Sequence, residues 1–290
     1  MDVYLLLDLL VDYGVFTVMA LGTYITLSAH QISIGHGALA GIGAYTTAVL
    51  SVKFGVPVVF SVVAAGLAGL AGGLLIAYVV ALRLKGMYLA IGTFAFGEAL
   101  AVFWLNLEYV GGALGFLRIP VITDLWLVYS IIAVLTFLLW RFEKSNMVLA
   151  FRSVFDDEVT AASLGINVAR VKVLAWAFGG MITGIGGALF AHRLSVIRPD
   201  NFAFMFSILI LLAPCIGGFR TFWGTFVGSA VIVWGPWILN VTDPLNKRVF
   251  IGLLYVVLMV WRSEGVIGRQ GLRWSELVPW SRASDSARHP

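Results

Sequence analysis

Apolar residues run through this chain in long blocks. Residues 13–52 contain no Asp, Glu, Lys or Arg, and neither do residues 54–82. Residues 125–140, 173–192, 201–219 and 221–242 are equally free of charge. About 18 or more such residues suffice to cross a bilayer as a helix. Several blocks in succession mean a polytopic helical protein, because a helix satisfies its own backbone hydrogen bonds in lipid. A large soluble helical core would need polar outer faces at helical spacing, and the blocks lack them. The pattern therefore predicts an all-α fold, a polytopic transmembrane helical bundle of about nine membrane segments (8–10). They are placed at 11–29, 33–51, 57–81, 87–107, 125–141, 173–192, 203–219, 222–241 and 247–261. The turn at 29–33 is tight enough that 29–51 is open to a broken or re-entrant course. Pro214 interrupts the seventh segment and predicts a kink there.

One polar stretch, 143–172, breaks the pattern, and the rest of the chain is organised around it. Asp156, Asp157 and Glu158 stack acid where the dipole of a short helix favours it, and Gly165 stands where a helix stop belongs. Phe155, Val159 and Ala162 fall at i, i+4 and i+7, one apolar stripe on a helix of about nine residues. A helix that short is marginal alone in water, so it needs a surface to dock on: lipid or another protein.

Charge then orients the bundle. With the N-terminus outside, thirteen Lys and Arg fall in the inner loops and tail and six outside, which accounts for all 19. Basic residues favour the cytoplasmic side, so the expected topology is N-out/C-in with 143–172 in the cytoplasm. The net charge of +4 then reports topology and gives no reason to expect nucleic acid. Only 12% of residues are charged, against roughly 25% in soluble domains. Cys215 is the single cysteine, so no intrachain disulfide forms. The start of the chain lacks the basic region of a signal peptide, and the first segment is expected to be retained as a helix. The division expected is a transmembrane domain, 1–268, and a polar cytoplasmic tail, 269–290.

Candidate chemistry is sparse. Small-xxx-small pairs at Gly37/Gly41, Gly69/Gly73, Gly180/Gly184 and Gly224/Gly228 predict close helix packing. Glu98 lies well inside a membrane segment, where a charge costs about +2.5 to +3.5 kcal/mol and is expected to face protein or a water-filled path. Gln31, Ser33 and His36 suit a polar contact between helices. The chain holds no Gly-x4-Gly-Lys-Ser/Thr phosphate loop, no His-Glu-x2-His and no Gly-x-Ser-x-Gly, so ATP binding by that loop and metal- or serine-based catalysis are not expected. No cofactor and no metal ligand set is expected.

Several motifs together resemble one family. Phe155-Asp156-Asp157-Glu158 through Leu164-Gly165-Ile166-Asn167 to Arg170-Val171-Lys172 is similar to the cytoplasmic loop of permease subunits in ABC importers of the branched-chain amino-acid (LivM-like) type. Gln31 to Ala38, Leu84 to Ile91 with Phe96-Gly97-Glu98, Ser207 to Gly228 and Arg262 to Gly268 match in family order. The resemblance implies a coupling helix, carried by Phe155, Asp156, Asp157, Glu158, Ala161, Ala162, Leu164 and Gly165, that seats in a cytoplasmic ATPase. It also implies a translocation pathway, for which Glu98, Gln31, His36 and Tyr88 are the candidates. The implied partners are a second permease subunit, two cytoplasmic ATPase subunits, a periplasmic or extracellular substrate-binding protein and the lipid bilayer of the bacterial inner membrane. The expected function is ATP-driven import of branched-chain or other hydrophobic amino acids, with the chain itself not an enzyme. A urea or short-amide permease and a stand-alone secondary transporter are the alternatives. The sequence departs from the family at Glu108 to Gly115, where polar residues are lost; contact of that stretch with substrate would imply a different substrate.

Overall fold

The structure is a computed structural model that describes residues 3–238, 244–261 and 265–266. Among the described residues its regular secondary structure is helical, apart from one isolated bridge between Phe116 and Ile197. The helices are α1 (Val3–Ser28), α2 (His36–Lys53), α3 (Val58–Ile76), α4 (Gly86–Asn106), α5 (Leu125–Glu143), α6 (Asn146–Asp156), α7 (Glu158–Ser163), α8 (Val168–Leu194), α9 (Phe204–Gly217), α10 (Phe222–Ile238) and α11 (Pro244–Trp261). α3 runs on into a wider π-helical turn, Ala77–Ala81.

The apolar blocks of the sequence fall on helices, the first of them, 13–52, on both α1 and α2. Six of these stretches, Tyr4–Ser28, Val58–Ala81, Gly86–Asn106, Leu125–Glu143, Val168–Leu194 and Pro199–Gly217, are long and apolar enough to cross a membrane, while Phe222–Ile238 is apolar but shorter. The chain is thus a polytopic helical membrane protein. The stretch 29–51 is a turn, with His30 in a left-handed conformation, followed by the uninterrupted α2. α9 continues three residues beyond Pro214. The predicted tail, 269–290, lies outside the described residues.

α8 is the centre of the bundle, with α1, α2 and α3 packed along it. The contact is backbone to backbone, made possible by glycine. A Cβ on Gly184 would lie 2.7 Å from the Ala65 carbonyl oxygen, and one on Gly180 would overlap the Gly69 carbonyl. The Gly69/Gly73 pair of α3 therefore meets the Gly180/Gly184 pair of α8. Gly187 lies as close to Ala40 of α2, and Gly186 to Met19 of α1. Lipid gives apolar helices no hydrophobic reason to associate, so close van der Waals approach carries the packing. A second such seam joins α9 to α10 through Gly217, Gly224 and Gly228.

Two ends of the bundle are tied differently. At one end Arg193 of α8 bonds Asp8 and Asp12 of α1, each at 2.9 Å. The loop between α4 and α5 pairs there with the segment after α8, Phe116 N donating to Ile197 O at 2.8 Å. At the other end lie the α1–α2 turn, the start of α4, helices α6 and α7, and the α9–α10 turn.

The polar stretch itself differs from the expected nine-residue helix. It forms two helices, α6 and α7, broken at Asp157, whose backbone is extended (φ −158°, ψ 115°). The break follows from chemistry: the Asp157 carboxylate caps α7, accepting from Val159 N at 2.8 Å and Thr160 N at 3.3 Å, as an N-cap acid does. Phe155 consequently belongs to α6, and the stripe Phe155–Val159–Ala162 is not one face. The buried residue of α7 is Ala161; Val159 and Ala162 are exposed.

Replacing Gly180 with Leu should destabilise the chain by about 1–3 kcal/mol or more, as overpacking does. Gly252→Leu, on a face of α11 with nothing near, should cost little. Unfolding midpoints of the two variants in mild detergent check this; equal midpoints contradict the seam.

Candidate functional site

The site grows from α7 and its anchorage. Glu158, the first residue of α7, bonds Lys85 Nζ at 2.9 Å and forms a second ion pair with Lys172 of α8. Lys172 is 4% exposed and Lys85 is 72% exposed. One carboxylate thus ties the start of α4 and the base of the central helix to the polar stretch. Partial burial works against the charge on Glu158, but Lys172 and Lys85 outweigh it and hold its pKa below the ordinary carboxylate range. Asp157 is also held below that range, first by the Thr160 hydroxyl and then by the Val159 and Thr160 amides.

Gly165 ends α7 with φ +83°, a left-handed conformation that glycine adopts freely and other residues adopt at a cost of about 1–2 kcal/mol. Asn167 then starts α8 by accepting from Arg170 N at 2.9 Å. Only three residues, 165–167, separate the leucine that closes α7 from α8. The outer surface of α7 presents Val159 (75% exposed) and Leu164 (73% exposed) with Ala162, Ser163 and Gly165. Asp156 is exposed at the end of α6, while half-buried Phe155 points the other way, its ring 4.9 Å from His30 and 5.4 Å from Phe219. Phe155 therefore joins α6 to the α1–α2 turn and the α9–α10 turn.

The pathway candidates do not converge. Gln31 and His36 are buried together at the α1–α2 turn. His36 Nε2 lies 3.1 Å from Thr26 Oγ1, and its ring stacks on Trp176 of α8 at 5.5 Å. Ser33 Oγ accepts from Gly35 N at 3.0 Å, and Thr93 of α4 accepts from Ile34 N at 3.1 Å. Of the three residues expected to make a polar contact between helices, His36 does so; Ser33 bonds within its own turn, and Gln31 Nε2 donates to the neighbouring His30 O at 3.4 Å. Glu98 lies apart, half-buried on α4, and its Oε1 accepts from Phe204 N at 3.1 Å. It thereby meets the open amides and positive end of α9. Tyr88 is 74% exposed and shares no described hydrogen bond with the others.

Sequence reasoning missed Glu143. Its Oε1 accepts from Tyr24 OH at 3.0 Å and from Phe222 N at 3.1 Å, so it ties α1, α5 and the start of α10 at the end that carries α7. Its partners are 119 and 79 residues away, and no local pattern announces them.

A glycine-seamed bundle of apolar helices, carrying a short anchored helix at one end, defines a polytopic helical membrane protein. Residues 5–259 match the family described as Branched-chain amino acid transport system / permease component, and the chain belongs to that family. It is similar to the high-affinity branched-chain amino acid transport system permease protein LivM of Salmonella typhimurium and of Escherichia coli K12. Each is 27% identical over 289 residues, 87% of this chain and 68% of the relative. It is also similar to the autoinducer 2 import system permease protein LsrC of Escherichia coli, 22% identical over 266 residues, 88% of this chain and 73% of the relative. No solved structure matches. The chain is a LivM-like ABC permease, a multi-pass protein of the bacterial inner membrane.

The Glu158 anchor predicts unequal costs. Removing the partner of a buried charge costs about 3–5 kcal/mol, while an exposed pair is worth about 0.2–1 kcal/mol. Glu158→Gln, which strands the buried Lys172, should lower stability several-fold more than Lys85→Met, measured as unfolding midpoints in detergent. Because the folded pKa of Glu158 is depressed, its contribution is present above the unfolded value, about 4.3. It is lost as pH falls through the folded one. The difference between wild type and Glu158→Gln should therefore shrink below about pH 4.

Proposed function

We propose that this chain is one of two permease subunits through which a binding protein delivers branched-chain or other hydrophobic amino acids, with import driven by two cytoplasmic ATPase subunits. α7 would be the coupling element. The observation that carries the reading is α7 itself: its outer surface is exposed and apolar, yet its base is locked by Glu158 to α8, the helix on which α1, α2 and α3 pack. Motion imposed on α7 would reach the centre of the bundle through three residues.

N-out/C-in topology belongs to the same reading and is supported by the thirteen-to-six distribution of Lys and Arg. On this reading α6, α7 and the α9–α10 turn are cytoplasmic and α1–α5 and α8–α11 are nine crossings, with 1–268 as the permease domain and 269–290 as a cytoplasmic tail. Glu98, Gln31, His36 and Tyr88 remain the pathway proposals, with Glu98 bound to the first amide of α9. The amino-acid substrate class is supported by the names of the relatives at 27% identity. The autoinducer 2 permeases are more distant, at 22%.

The test is a variant combining Asp157→Ala, Glu158→Ala and Gly165→Val in the assembled transporter. Uptake of radiolabelled leucine into proteoliposomes should fall at least roughly ten-fold, about 1.4 kcal/mol in coupling, while the chain still inserts and the partners still hydrolyse ATP. Undiminished uptake refutes the coupling role. Leucine uptake by the chain alone, driven by a gradient without ATP, would favour a stand-alone transporter.

A further inference from the structure

Ser and Thr inside a helix commonly turn the hydroxyl onto the carbonyl four residues back. Thr17, Thr46 and Ser51 do so here, at 2.7, 2.7 and 2.8 Å. Thr225 and Ser229 of α10 and Thr23 of α1 do not. Their hydroxyl oxygens are buried and have no hydrogen-bond partner among the described residues. Thr225 and Ser229 are 0% exposed and Thr23 is 1% exposed. Thr221 Oγ1, four residues before Thr225 and just ahead of α10, is buried and without a partner in the same way. Residues four apart share a helix face, so these hydroxyls form a stripe along α10. A buried hydroxyl left unpaired costs stability, and several in one stripe call for an occupant that satisfies them.

The stripe continues an opening. Four residues beyond Ser229 stands Val233, which lines a cavity of about 230 Å3 between α1, α8, α9 and α10. Met19 of α1 lines the same cavity, and Thr23 stands four residues further along α1. Ser229 and Thr23 both lie from the cavity toward the α7 end, so two helices carry its walls inward as hydroxyls. Its mouth is at the opposite end, where Asp12 and Arg193 are paired, their side chains 51% and 23% exposed. From Val233 back to Thr221 the stripe covers about 18 Å, at 1.5 Å per helical residue.

A hydroxyl both donates and accepts, and water answers both needs. An apolar guest would leave the hydroxyls unpaired. An ion would find no countercharge along the stripe, whose groups are neutral. The cavity has room for several waters at about 30 Å3 each, and a buried water needs the polar partners that the hydroxyls supply. We infer that water fills this cavity and runs on as a file beside α10, held by Ser229, Thr225 and Thr23 and reaching Thr221. The bundle then has a dry axis, closed by glycine along α8, and one wet seam within the single chain. The inference goes beyond the permease reading and does not rest on it.

The experiment is cysteine accessibility in the full chain in lipid nanodiscs, with the silver ion as a probe small enough to travel with water. Cys215 is the single cysteine, so Cys215→Ala gives a silent background. A soft metal ion binds thiolate, and a thiol in dry apolar surroundings stays protonated and inert. Ser229→Cys and Thr225→Cys should therefore lose their free thiol to silver at least about 100-fold faster than Ala188→Cys, which is buried against Val62 and Ala65. Val233→Trp, which fills the cavity, should slow the reaction of Ser229→Cys at least roughly ten-fold. Thermal unfolding of Thr225→Val is the second measurement. Loss of a hydroxyl bonded to water lowers the midpoint, whereas loss of a dry, unpaired one raises it. A midpoint that does not fall overturns the assignment even where a cysteine variant or Val233→Trp fails to fold. So does a thiol at 225 or 229 as inert as the one at 188, or a rate at 229 that Val233→Trp leaves unchanged.

Discussion

The backbone of α8 is bare on three sides, and the rest of the fold depends on that. Gly179 faces Gly22 of α1, Gly180 and Gly184 face α3, and Gly187 faces Ala40 of α2. In lipid, apolar side chains have no solvent to escape, so helices gain by dense contact and by interhelical hydrogen bonds. A helix without side chains along its contact lines lets three neighbours approach at once. The bundle therefore has a rigid axis, and what is fixed to that axis moves with it.

The polar residues show where the axis is held. Glu158 binds α7 to Lys172 at the base of α8, and Arg193 binds its far end to α1. Glu143 and Glu98 act otherwise. Each places a carboxylate at the first amide of another helix, Phe222 for α10 and Phe204 for α9. Both members of the α9–α10 hairpin thus begin on an acid supplied from elsewhere, α5 in one case and α4 in the other. Phe155, between His30 and Phe219, adds a contact from the polar stretch to the turn of that hairpin. The short helices at one end consequently reach both the axis and the hairpin.

Much of this was legible from residue order. The charge-free blocks marked the long helices because lipid demands uninterrupted apolar length. Asp157, Glu158 and Gly165 marked a short helix with a defined start and stop, and the glycine pairs marked close packing. Other features were hidden for physical reasons. Asp157 had two roles open to it, helix interior or cap, and the cap won, splitting one expected helix into two. Which glycine pair meets which is a property of helix order in space, so the match of Gly69/Gly73 with Gly180/Gly184 had no sequence signal. Glu98 looked like an isolated charge because its partner is a backbone amide 106 residues away. Tyr88, grouped with it by motif, is exposed instead.

The central claim is that α7 is the surface on which an ATP-hydrolysing subunit seats. The most direct measurement is photo-crosslinking from a benzophenone amino acid placed at Val159 or Leu164 in the assembled transporter in native membranes. The account predicts a crosslink to an ATPase subunit from both positions and none from Lys53, at the opposite end of the bundle. Crosslinks from Val159 and Leu164 only to lipid or to an external binding protein would contradict it.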